Sequence, residues 1–182
     1  MSKSTTATTT WSVPQVPGLL LRHAVPSDSP VVLDFIQALA DYEHLSHEVV
    51  ATREGLEAAL YGEKKIIDVV IALLDGAPAG FALYFHSFST FLTRPGIYLE
   101  DLFVHESLRG KGVGKALLSY LAKVAHDNGC GRLEWSVLDW NEPSIRFYQS
   151  LGAAAMDEWT VNRVTGAGLD TLADAVKFSP ES

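Results

Sequence analysis

The stretch from Tyr98 to Lys115 constrains this chain more than any other part of it. Strand-forming residues Tyr98-Leu99 and Leu102-Phe103-Val104 flank two adjacent carboxylates, Glu100 and Asp101. A short turn follows, and then Arg109-Gly110-Lys111-Gly112-Val113-Gly114-Lys115. Beyond the glycines, Val113, Leu117, Leu118, Leu121, Val124 and Ala125 recur at helical spacing and predict an amphipathic helix. A further strand over 132–138 completes a strand–helix–strand unit, which normally makes a parallel pair. The fold class is therefore α/β. A glycine loop at a helix N-terminus also exposes unpaired N–H groups at the positive end of the dipole, a setting that suits a phosphate or pyrophosphate.

Spacing narrows the ligand. A P-loop needs Gly, four residues, then Gly-Lys-Ser/Thr, but Lys115 stands five positions after Gly110 and Ala116 follows it. The Gly-x-Gly-x-x-Gly dinucleotide pattern fails too, because Lys115 and Leu117 occupy the places of the third glycine. Arg-x-x-Gly-x-Gly, from Arg109 to Gly114, is the pattern that fits.

The remaining elements follow from patterning. A first strand is expected at Leu21-Arg22-His23-Ala24, and Val31, Val32, Phe35, Ile36, Leu39 and Ala40 mark a helix ending near Tyr42-Glu43. Thr52 caps a second helix through about Tyr61, and strands over 66–74 and 79–86 flank the turn Asp75-Gly76-Ala77-Pro78. Asn141 is a suitable N-cap for a helix with Pro143 in its first turn, and Tyr148 lies two turns on, roughly 10 Å along the same face. A last strand is expected around Trp159, then a short polar helix around Leu169–Val176. Residues 1–17, rich in Ser and Thr, read as a disordered arm preceding one domain over 18–182.

Composition excludes several classes. A net charge of −8 makes nucleic acid a poor partner, so any positive field for an anion must come from Arg109, Lys111 and Lys115 locally. No apolar stretch is long enough for a membrane span, and no targeting segment is recognisable, which leaves the cytoplasm as the default location. Cys130 is the single cysteine, which precludes an internal disulfide and argues against a thiolate metal site; no metal is expected.

Two blocks, Arg109 to Gly114 and Trp140-Asn141-Glu142-Pro143-Ser144-Ile145-Arg146-Phe147-Tyr148, resemble the acetyl-CoA-dependent N-acetyltransferases of the GNAT superfamily. Tyr98-Leu99-Glu100-Asp101, Leu39-Ala40-Asp41-Tyr42-Glu43, Gly80-Phe81-Ala82-Leu83-Tyr84-Phe85 and Trp159 extend the likeness to its diamine branch, the spermidine/spermine and thialysine enzymes, over roughly residues 19 to 163. The resemblance implies a twisted mixed sheet of about six to seven strands, flanked by helices, whose central parallel strands splay to admit acetyl-CoA. It implies a homodimer and a small cationic amine substrate.

The same resemblance assigns residues. Leu102, Phe103 and Val104 would meet the pantetheine amides, Arg109, Gly110, Lys111, Gly112, Val113, Gly114 and Lys115 the pyrophosphate, and Asn141, Ser144 and Tyr148 the pantetheine and sulfur end. Glu100 would be the general base, Tyr148 the general acid, and Tyr42, Glu43, Ser89, Thr90, Asp101 and Trp159 would contact the amine. An amine with a pKa near 10.4 is ammonium at neutral pH and must lose a proton before it can attack a thioester, which is why carboxylates suit this place. On a regular strand Glu100 and Asp101 point to opposite faces, so the assignment implies a bulge.

Read alone, Asp101 also suits a buried salt bridge, Glu43 a solvated helix end, and Tyr148 a core position beside Phe147. Where polyamine enzymes carry an acidic residue before Tyr-Leu-Glu-Asp, this chain has Phe88-Ser89-Thr90-Phe91, as in thialysine-type members. The expected activity is acetylation of a small diamine or lysine-like amino acid. Polyamine acetylation, acetylation of a protein amine, a silent acetyl-CoA sensor and a ligand-free scaffold are the alternatives.

Overall fold

The computed structural model describes residues 9–178. Its strands are β1 (Thr10–Ser12), β2 (Leu19–His23), β3 (Asp68–Leu74), β4 (Ala77–Ser89), β5 (Arg94–Val104) and β6 (Leu133–Trp135). The helices are α1 (Ser29–Tyr42), α2 (Arg53–Tyr61), α3 (Val113–Asp127), α4 (Glu142–Ser150) and α5 (Ala167–Asp174). The strands form one open sheet in chain order, antiparallel throughout except for the parallel pair β5–β6. Both sides of this mixed α/β sheet carry helices.

Alternation along the strands decides what each face packs against. Val69 and Ile71 of β3, Phe81 and Leu83 of β4 and Phe103 of β5 are buried with Val32 and Phe35 of α1 and Leu56 and Leu60 of α2. The intervening Val70, Ala72 and Ala82 are buried on the opposite side, where α3 contributes Val113, Leu117, Leu118 and Leu121. The helical spacing read from the sequence is therefore the face that α3 buries. The β3–β4 turn is tighter than expected: Asp75 and Gly76 adopt left-handed conformations (φ 51° and 80°), while Ala77 and Pro78 already belong to β4.

Three irregularities interrupt the sheet, the first in the β3–β4 pair, where the register slips from Ala72↔Gly80 to Leu73↔Pro78 and leaves Ala79 unopposed. The β4–β5 register runs Leu83↔Asp101 and then Tyr84↔Leu99, so Glu100 has no opposite residue and forms a bulge. In addition, β6 pairs with β5 only from Ile97 to Leu99, and beyond that point the β6-facing edge of β5 has no strand partner among the described residues.

Two expectations are corrected. Residues 1–8 of the predicted arm lie outside the described residues, but Thr10–Ser12 are ordered as β1 on β2, because Trp11 finds the rings of His23 and Tyr120 at 5.6 and 4.8 Å. No strand forms around Trp159; Met156, Trp159, Val161 and Val164 are spaced three, two and three apart, which keeps no single strand face apolar. The described residues divide into two compact units between Ser136 and Val137, and no strand after β6 joins the sheet.

The entry to α1 is fixed by charge. Asp28 takes a bidentate bond from Arg22 of β2, with Nη1 at 2.6 Å and Nη2 at 2.9 Å, and accepts the Val25 N–H at 2.7 Å. Burial pushes the Asp28 carboxyl up, but these donors outweigh it and hold it below the usual range. Asp28→Ala would leave the part-buried Arg22 guanidinium without its counter-charge, holding only the His23 carbonyl. We expect a loss of about 3 kcal/mol in urea unfolding, and Arg22→Ala/Asp28→Ala together should cost less than the sum of the single changes.

Candidate active site

The bulge turns the Asp101 carboxylate to the α1 side of the sheet and leaves its neighbour Glu100 exposed. Leu99 pairs with Tyr84, whose ring lies near Tyr120 of α3, whereas Asp101 pairs with Leu83 on the α1 side. The extra residue at Glu100 is what converts one facing into the other. Helix α1 crosses this side, anchored by Phe35 stacked on Phe81 at 5.2 Å, and its C-cap is Glu43. Burial raises the Glu43 carboxyl. Asp101 is pushed up to about 6, first by burial and then by the charges of Glu100 and Glu43. Three carboxylates thus form one electrostatic cluster, with Glu100 exposed at its solvent side.

The glycine loop lies at the far end of β5. Gly110 and Gly112 are left-handed (φ 75° and 87°), a conformation that costs a side-chain-bearing residue strain. The first bond of α3 runs from Ala116 N–H to Gly112 O at 2.9 Å, so the N–H groups of Val113, Gly114 and Lys115 have no acceptor within the helix. Lys111 and Lys115 are exposed beside them, and nothing would meet a Cβ at Gly110 within 4 Å. Donors, dipole, local positive charge and clearance fit a diphosphate. Along the unpaired edge of β5, Leu102, Phe103 and Val104 present the backbone that a ligand carrying amides requires.

Arg109 does something the motif did not foretell. Its Nε donates to Val104 O at 3.2 Å, and its guanidinium lies 4.4 Å from the centre of the Tyr42 ring and 6.0 Å from that of Phe103. The loop is thereby tied to the end of α1 that carries Tyr42 and Glu43.

Other predicted residues are dispersed. Ser89 is buried and accepts the Leu92 N–H at 3.3 Å in the β4–β5 turn, and the Thr90 carbonyl accepts from the Thr93 hydroxyl. Six residues of strand separate Ser89 from Leu83, so within one chain that turn lies roughly 20 Å from the carboxylates. In the second unit, Asn141 is buried and its side chain accepts the Ser144 N–H at 3.4 Å, capping α4 as expected. Tyr148 lies on α4 against Phe147, ring centres 5.4 Å apart, and Trp159 is exposed in an irregular stretch. Among the described residues no group of His, Cys, Asp and Glu is arranged to hold a metal ion, and no helix is long and apolar enough to cross a membrane.

Residues 35–153 match the acetyltransferase (GNAT) family. The chain belongs to that family. As a GNAT acetyltransferase it is an acyltransferase whose cosubstrate is acetyl-CoA. It is 36% identical to a thialysine N-epsilon-acetyltransferase of Bos taurus, over 85% of this chain and 97% of that protein. It is 32% identical to an L-ornithine N5-acetyltransferase of Arabidopsis thaliana, over 84% of this chain and 86% of that one. Among solved structures, an integron cassette protein from the mobile metagenome of V. cholerae superposes with a TM-score of 0.72 at 28% identity, covering 86% of this chain and 98% of that protein.

Sequence reasoning about this GNAT acetyltransferase missed the Arg109–Tyr42 stack, because residues 67 positions apart give no local signal of their contact. The clustered charge has a consequence for stability. Asp101 keeps its proton up to about 6 in the fold but only to about 4 when unfolded, so folding is increasingly disfavoured as pH rises through that window. Asp101→Asn should therefore raise stability by about 2 kcal/mol at pH 8 and change it little at pH 3, as read by denaturant unfolding at both values.

Proposed function

We propose that this enzyme transfers the acetyl group of acetyl-CoA to the primary amine of a small diamine or lysine-like amino acid, as a thialysine-type acetyltransferase. The observation that carries the reading is the Glu43–Glu100–Asp101 cluster created by the β5 bulge, a receptor for a compact ammonium group. The names of the relatives support the same class of acceptor.

The chemistry follows from these groups. Asp101 and Glu43 hold the ammonium, whose positive charge offsets their mutual repulsion. Glu100, the solvent-side member, takes the ammonium proton directly or through water. The freed nitrogen lone pair then forms the C–N bond at the thioester carbonyl carbon, the C–S bond breaks, and the second amine proton leaves to solvent. Backbone N–H groups along Leu102 to Val104 orient the thioester, and the first turn of α3 holds the diphosphate. The family resemblance gives Tyr148 the role of returning a proton to the departing thiolate and Trp159 a contact with the amine. A homodimer belongs to the same reading.

Polyamine acetylation is the second reading, and the same three carboxylates favour it. CoA release measured with thialysine, lysine, ornithine, putrescine, diaminopropane, spermidine and spermine separates the two. We expect thialysine or short diamines to give the highest kcat/KM; a preference for spermidine or spermine selects the second reading, and silence across the panel refutes both. Tyr148→Phe should lower kcat at least tenfold while leaving the acetyl-CoA KM within twofold. The amine KM should rise as pH falls through about 6, because Asp101 then gains a proton and the cluster loses an anion, and this rise should vanish in Asp101→Asn.

A further inference from the structure

We infer that the ordered N-terminal segment, residues 10–18, is a strap that holds the diphosphate-binding loop in shape, with Val16 as a positioning residue for acetyl-CoA. This rests on the reading of the Gly110–Lys115 loop as the diphosphate site. The segment precedes the part of the chain that carries the family resemblance, so no role in the reaction comes to it from there.

The strap touches α3 at two places. At its start, Trp11 packs on Tyr120 and on His23, and the Tyr120 hydroxyl lies 3.0 Å from His23 Nε2. That fixes β1 across β2 to the middle of α3. At its end, Val16 lies directly against Gly112: a Cβ on that glycine would come within 2.9 Å of Val16 Cγ2. Val16 is half-buried between two exposed neighbours, Gln15 and Pro17. Its own position is fixed by backbone bonds, Val16 N–H to Val13 O at 2.9 Å, Leu19 N–H to Val16 O at 3.0 Å and Val13 N–H to Leu19 O at 3.1 Å. The connector is thus a closed loop rather than a loose tail. Beneath it, Asp75 N–H donates to Gly18 O at 3.0 Å, which ties the strap to the β3–β4 turn.

The restraint acts on Gly112. Its left-handed conformation directs the N–H groups of the first turn of α3, and a glycine has wide conformational freedom unless a neighbour removes it. Val16 fills the space where a side chain at Gly112 would sit and so limits the movement of that backbone. The strap supplies from outside the restraint that Gly112 lacks. Its energetic effect falls on the loop's donors and not on the carboxylate cluster, so it should appear in the donor substrate alone.

The test compares Val16→Ala, Val16→Ile and Trp11→Ala in the full chain, using acetyl-CoA and S-acetylpantetheine, a donor without the diphosphate. Val16→Ala should raise the acetyl-CoA KM about fivefold, leave kcat and the amine KM within twofold, and leave the kinetics with S-acetylpantetheine unchanged. Val16→Ile should behave as wild type. Trp11→Ala, which frees the other end of the strap, should raise the acetyl-CoA KM in the same selective way and also lower the melting temperature. An unchanged acetyl-CoA KM in Val16→Ala, or an equal rise for both donors, would overturn the strap. A wild-type enzyme that uses both donors with equal KM would instead refute the diphosphate reading of the loop, and the strap with it.

Discussion

One extra residue in β5 underlies both the packing and the chemistry of this protein. Without Glu100 as a bulge, Leu99, Asp101 and Phe103 would share a face, and either a carboxylate would press into the α3 core or a leucine would point to the α1 side. With it, Leu99 stays buried towards α3 while Asp101 stands on the side of α1, beside Glu43. Most of the structure frames that choice. The Phe35–Phe81 stack and the Arg22–Asp28 pair fix α1, and the stack of Arg109 on Tyr42 joins the end of α1 to the glycine loop.

The carboxylate cluster is an electrostatic liability in the empty fold. Burial and like charge raise Asp101 to about 6, and burial raises Glu43, so near neutral pH the site holds charge that its surroundings disfavour. A cation relieves that repulsion, which makes the site selective for ammonium groups through the same physics that destabilises it. Stability given up at the site is recovered in the aliphatic and aromatic layers on either side of the sheet.

Much of the frame was legible in the residues. The α3 spacing, the Thr52 and Asn141 caps and the Asp75-Gly76 turn are local patterns, and each appears where the local rule puts it. The places where reading failed are those decided at a distance. Trp11 is ordered by His23 and Tyr120, far along the chain, against a Ser/Thr-rich composition that favours disorder. The strand expected near Trp159 had apolar residues but no period-two spacing to hold them on one face.

By itself the sequence determined the main helices, the central strands and the glycine loop, and named the residues that could carry acetyl transfer, because capping, periodicity and glycine loops act over a few residues. Tertiary structure decided which residue of the implied bulge stands unopposed, that Asp101 takes the α1 side, that Arg109 turns to Tyr42 and that Val16 lies on Gly112. Each of these depends on strand register or on contacts between segments brought together by burial of the sheet. No local pattern encodes the partner such a contact will find.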